Sequence, residues 1–328
     1  MARSEALAVQ AGEATLAGTL LLPDAPPPAD ERDRYPNALL LPSWLPRDRD
    51  GAWDRTGHAP WFAPPAEGER GLLARLAEAL AVRGVASLRV DPRGCAASEG
   101  TWESTALFTK IDDVRDMVSA IRGHPRLDLR RTALVGHGEG ATLALSVAIG
   151  DPAISALTLI GPAARSWRDV LRRGVSERNR TGTDRQHPVV AALDRWSEEI
   201  IERAERREER LDLPIRGAGR VSLTLAGVEQ AIHTPPFALA TMLHRSVALV
   251  HGAGDVWADP DESVLLAEAL AEGATEMSRR MVLGAGHDLA EAADAVVDEM
   301  AADLAARIRS VELPPVLLAI EGMTDGVR

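Results

Sequence analysis

The chain has 328 residues, 45% hydrophobic and 26% charged, with a formal charge of −12. This composition supports a sizeable core and excludes a disordered polymer, and it leaves no basic excess to neutralise the phosphates of a nucleic acid. No run of about 18 apolar residues occurs, which excludes a spanning helix, and no membrane partner is expected. The single cysteine, Cys95, excludes a disulfide framework and a cysteine-based zinc site.

The opening stretch lacks the apolar core and cleavage site of a secretion signal, so a cytoplasmic protein is expected. The one lysine, Lys110, among 37 basic residues suits a GC-rich coding sequence.

In chain order, residues 6–9 and 15–22 read as an opening pair of strands, and 37–41 (NALLL) as a buried strand. Residues 69–83 carry leucines at helical spacing, 85–90 (VASLRV) form the next strand, and 111–122 a second amphipathic helix. A strand at 132–135, a small-residue helix at 140–149 and a strand at 156–160 follow. Between 164 and 241 no convincing strand is seen, and the charged stretch 193–211 predicts one solvated helix. The strand rhythm resumes at 246–250, with a helix over 262–270, a strand at 278–283 and a long helix over 288–311.

This alternation predicts an α/β fold with a mostly parallel central sheet and a helical cap. The body divides into 1–163 and 242–311, with the cap at 164–241 and a tail at 312–328.

The chemistry sits at strand ends. Thr132-Ala-Leu-Val-Gly136-His137-Gly138-Glu139-Gly140 is a strand, a glycine-rich turn and a small-residue helix, the context of a nucleophile elbow. Asp91-Pro-Arg93-Gly94 through Ser98 follows an earlier strand. His251-Gly252-Ala253-Gly254-Asp255 follows the strand after the cap, and Gly284-Ala285-Gly286-His287 follows the last strand.

On these motifs the chain resembles the α/β-hydrolase superfamily over roughly residues 10–310. The run Pro42-Ser43-Trp44-Leu45-Pro46-Arg47-Asp48-Arg49-Asp50-Gly51 is similar to the G-S-G-P-x-D-R-D-G turn of an esterase- and peptidase-like subgroup. The resemblance implies an elbow nucleophile, then an acid at Asp255 and a base at His287, in the family's chain order.

The departure is at the elbow. Where the resemblance implies Gly-His-Ser-Glu-Gly, this chain has Gly136-His137-Gly138-Glu139-Gly140. Glycine forms no acyl ester, and its small size predicts a widened pocket floor beside His287. The oxyanion region departs too, because Ser43 and Trp44 stand where the resemblance implies G-S-G. His137 and Glu139 are expected to orient the elbow, and Cys95 lies on another loop with no paired base.

His287 with Asp255 remains a competent general acid or base. Trp44, Trp53, Trp61, Trp102, Trp167, Trp196 and Trp257 lie on loops and cap segments that this fold gathers over the site. They either glue the cap to the body or line a pocket for a large aromatic small molecule.

The expectation is an enzyme without a serine nucleophile, using His287–Asp255 in cyclisation, elimination or carbon–carbon bond formation. Nucleophile-less members of the resembled fold do such chemistry in bacterial secondary metabolism. A direct-water ester or amide hydrolase, a ligand-binding pseudohydrolase, and an ordinary serine enzyme carrying an engineered glycine are the alternatives. No cofactor or metal is expected, and the oligomeric state stays open, a homodimer included.

Overall fold

The computed structural model describes residues 2–27, 34–54, 70–173, 188–215 and 219–310. Strands β1 (Arg3–Ala11) and β2 (Ala14–Leu22) form a hairpin whose tight turn uses Gly12 at φ 56°. Strands β3 (Tyr35–Leu41), β4 (Ala86–Val90), β5 (Leu127–His137), β6 (Ile154–Ile160), β9 (Ser246–Gly252) and β10 (Glu276–Val282) complete an eight-stranded sheet. Its order is β1-β2-β4-β3-β5-β6-β9-β10, and every pair from β4 to β10 is parallel. The central strands β3, β4, β6 and β9 are buried along their whole length, so they read as apolar runs and not as alternating patterns.

Helices cover both faces. On one face α1 (Leu72–Val82) packs with α10 (Asp294–Ser310), through Leu73, Leu76, Leu80, Met300 and Leu304. On the other lie α2 (Leu107–Gly123), α3 (Glu139–Gly150) and α9 (Asp261–Leu270), through Ile111, Val114, Leu145 and Leu266. Among the described residues no helix is long and apolar enough to cross a membrane.

Between β6 and β9 the cap holds α4 (Trp167–Arg173), α5 (Pro188–Arg195), α6 (Ser197–Glu205), α7 (Leu225–His233) and α8 (Pro236–Ala240). It has its own apolar cluster, in which Leu171, Ile200, Leu213 and Val228 join Leu45, Cys95 and Trp102 of the body.

Two expectations for this segment are corrected. The charged stretch is not one helix: α5 ends before Trp196, α6 ends at Glu205, and Arg207 turns the chain at φ 60°. Strands β7 (Arg210–Ile215) and β8 (Gly219–Thr224) then form an antiparallel pair where the pattern suggests no strand. Leu211, Leu213 and Ile215 are buried in alternation with exposed Arg210, Asp212 and Pro214, a period of two hidden among the charges. Pro214 is tolerated because a two-stranded ribbon consists of edges.

The last helix also starts later than its pattern suggests. The chain after His287 runs through turns, with Leu289 at φ 48°, before α10 begins. The tail at 312–328 lies outside the described residues.

Candidate active site

Parallel strands deliver their loops to one end of the sheet. There β3 leads into Pro42-Ser43-Trp44-Leu45, β5 into Gly138, β9 into Asp255 and β10 into His287. Gly138 has φ 53° and ψ −116° and is the N-cap of α3, without a side-chain cap of its own. The turn closes tightly, since a Cβ on Gly136 would overlap the Gly140 backbone. Glu139 and Gly140 head α3, where the helix itself provides no acceptors for the first amides. The Glu139 carboxylate accepts from Lys110 Nζ at 2.6 Å, the chain's only lysine, and both groups are largely buried.

Asp255 is fully buried and receives three hydrogen bonds, with a second imidazole close by. The amides of Trp257 and Ala258 donate to Oδ1 at 2.8 and 2.9 Å, and His287 Nδ1 donates to Oδ2 at 2.7 Å. His251 Nε2 lies 3.1 Å from the same Oδ2. Burial alone would raise the Asp255 pKa, but the His287 charge and the imidazole hydrogen bonds outweigh it and hold the carboxyl below the usual range.

At His287 burial opposes the imidazolium, yet the Asp255 carboxylate beside Nδ1 shifts the balance upward. Gly161, at φ 53°, leaves room for the pair: a Cβ there would lie 3.0 Å from Nδ1 and 3.2 Å from Asp255 Oδ2. With Nδ1 carrying its proton to Asp255, Nε2 presents a lone pair to the pocket floor.

The floor is not the enlarged space expected from Gly138. Ser43 Oγ occupies it and lies 3.0 Å from His287 Nε2. A Cβ built on Gly138 would overlap Ser43 Oγ outright and stand 2.9 Å from both Ser43 Cβ and His287 Nε2. The loop carrying Ser43 is itself strained, with Leu45 at φ 73°.

His137 is buried behind the base, its ring 4.5 Å from that of His287. Burial, with the His287 charge adding to it, pushes its pKa down to about 3. The neutral ring therefore donates Nε2–H to the His287 carbonyl at 3.0 Å.

Arg47 is buried, pairs with Asp288 at 2.9 Å and stacks over Trp53 at 3.9 Å. His137, His287 and Asp288 bring possible metal-ligand atoms within 4.8 Å of one another. All three are engaged: Asp288 by Arg47, His137 by a carbonyl and His287 by Asp255.

The D-R-D-G turn is structural. The Asp50 and Ala52 amides donate to Asp48, and Arg49 holds Asp91 at 2.5 Å, which ties this loop to the turn after β4. Arg93 in that turn pairs with Asp113. Cys95 is buried, and burial with the Asp54 charge pushes its thiol up to about 12, which makes it a packing group and not a nucleophile.

The cleft above His287 Nε2 is lined by Trp44, Trp53, Trp167 and Trp257 together with Leu45, Leu107 and Val170. Trp44 and Trp167 meet edge to face at 4.8 Å, joining body to cap. Trp102 is buried beside the cleft, bordering neighbouring cavities. Trp196 lies apart on the cap, where Arg195 stacks over it at 5.7 Å. Trp61 lies outside the described residues. The cleft's other charged side chains, Arg47, Glu139 and Arg165, are all paired, the last with Glu262.

Sheet order, cap position and the strand-end elbow, acid and histidine define an α/β-hydrolase. More specifically, a family model described as serine aminopeptidase, S33, matches residues 68–292, and the chain belongs to that family. Solved structures share the fold at low identity.

Est1E from Butyrivibrio proteoclasticus, with ferulic acid bound, is 18% identical at a TM-score of 0.64, over 92% of this chain and 99% of that one. The α/β-hydrolase GrgF from Penicillium sp. sh18 is 15% identical at 0.61, over 94% and 100%. Mouse α/β hydrolase domain-containing protein 10 is 18% identical at 0.60, over 93% and 99%. Among curated proteins nothing matches the chain significantly.

Proposed function

We propose that this chain is an α/β-hydrolase-fold enzyme acting on a large, uncharged, mainly aromatic small molecule. His287 is its base and Asp255 the partner that orients and charges it. The observation that carries this reading is His287 Nε2. Held through Nδ1 by a carboxylate that also accepts two backbone amides, it faces a cleft walled by four indoles in which the other charged groups are already paired.

Paired charges leave a substrate carboxylate or ammonium no free counter-ion, while indole faces favour flat apolar surface. Est1E, which shares the fold, has ferulic acid bound, and the likeness lies in the flat aromatic ring of that molecule and not in its carboxylate. The elbow itself cannot carry an acyl group, so the reaction opens with proton removal at the pocket floor. That step serves ester or amide cleavage as well as ring closure or elimination, and it needs no cofactor.

The experiment is a panel of naphthyl and hydroxycinnamoyl esters, with turnover followed optically and binding followed by tryptophan quenching. His287→Ala should lose turnover on any ester the wild type cleaves while it still quenches. Wild-type turnover in His287→Ala overturns the reading. Quenching without turnover of any panel member by the wild type favours a ligand-binding hydrolase fold instead.

A further inference from the structure

We propose that Ser43 is the nucleophile of this site, carried on the loop after β3 instead of at the elbow. The proposal rests on the reading of His287–Asp255 as the base, and it names the hydroxyl from which that base takes its proton. Ser43 Oγ, His287 and Asp255 are joined by contacts of 3.0 and 2.7 Å, so a serine–histidine–aspartate relay is complete without an elbow side chain.

Gly138 shows where that hydroxyl stands. A Cβ there would overlap Ser43 Oγ, so Oγ fills the volume into which an elbow side chain would project. The two positions exclude each other, and glycine at 138 is the condition for serine at 43 to reach His287. Ser43 is 8% exposed, and it lines the indole-walled cleft. The strained Leu45, two residues on, shows that the loop is held in an unrelaxed shape while it presents the hydroxyl. Directly after Gly138 come the first amides of α3, where a developing oxyanion finds donors and the positive end of the helix.

The chemistry closes on an ester substrate and water. The Oγ–H proton passes to His287 Nε2 as Oγ bonds to the substrate's carbonyl carbon and the π electrons move to its oxygen. Collapse of that oxyanion breaks the bond to the leaving alcohol, which takes the proton from His287. Water then gives a proton to His287 and bonds to the acyl carbon, and the bond to Oγ breaks with the proton returned to Ser43. Ester and water become acid and alcohol, with no change of oxidation state.

The test is labelling with a fluorophosphonate, read by intact mass and tryptic mapping. One adduct per chain is expected in the peptide from Tyr35 to Arg47, where Ser43 is the only serine. His287→Ala should slow labelling by roughly 10³-fold, the contribution of a general base. Ser43→Ala should lose the label and roughly 10⁶-fold of ester turnover, while melting cooperatively within about 3 °C of the wild type. Ser43→Cys should show an acyl thioester in a single-turnover experiment, which a space-filling role would not produce.

An unlabelled wild type, an adduct on another residue, or full turnover in Ser43→Ala overturns the proposal. If Ser43→Ala keeps turnover and His287→Ala loses it, the base stands and the nucleophile fails. If His287→Ala keeps turnover, the reading of the base itself has failed.

Discussion

Replacing Gly138 by alanine puts one methyl group into the most contested volume of the molecule. At φ 53° and ψ −116° an L-residue costs about 1–3 kcal/mol in backbone strain. The new Cβ overlaps Ser43 Oγ, so that hydroxyl has to rotate away from His287 and give up a hydrogen bond worth about 1 kcal/mol. The remaining 2.9 Å approaches to Ser43 Cβ and His287 Nε2 demand a further small shift.

The total is about 2–4 kcal/mol, or roughly 3–6 °C in melting temperature for a chain of this size. Calorimetry or far-UV melting of the variant gives the first number. Ser43→Gly removes the same hydroxyl and loses the same hydrogen bond, so the double mutant should cost about 1 kcal/mol less than the two single costs added, a coupling a double-mutant cycle isolates. A melting point within about 1 °C of the wild type, or strictly additive costs of the two substitutions, refutes the claim that residues 43 and 138 compete for one space.

Two further outcomes follow from the charges around His287. It works as a base only when neutral, and Asp255 raises its pKa above the ordinary 6.5, so the acidic limb of kcat/KM should lie above pH 6.5. Asp255→Asn removes the raising charge, moves the limb to lower pH and lowers the plateau; an unmoved limb in the pH–rate profile contradicts the assignment. Arg47→Met leaves Asp288 without its cation and Trp53 without its stacked guanidinium, and should cost about 2–3 kcal/mol in urea unfolding, below the roughly 3–5 kcal/mol of a fully buried pair because Asp288 is one-third exposed. A loss below about 0.5 kcal/mol would show that the pair is dispensable.

Much of the fold is legible in the sequence because parallel strands buried on both faces spell out apolar runs and each is followed by its loop. Gly138, Asp255 and His287 are readable for the same reason, since each stands at a fixed step after a strand. Ser43 is different. Its loop can be read, but its partner is 244 residues away, and no local pattern records a hydroxyl crossing from one loop to the space above another. Reading Gly138 alone therefore suggests an empty floor, where the structure shows a filled one. The β7–β8 ribbon is obscured for a local reason: arginine and glutamate on both sides extend the appearance of a helix, and only the alternation of Leu211, Leu213 and Ile215 betrays the strand.

The ion pair between Lys110 and Glu139 reaches beyond the elbow it braces. This is the chain's single lysine, and its side chain is mostly buried and ion-paired, so the sequence's other side-chain cations are arginines and histidines. Amine-reactive dyes, succinimidyl esters and aldehyde cross-linkers should therefore react slowly with the one lysine side chain of this sequence while it is folded. Unfolding should be what releases that amine to the reagent.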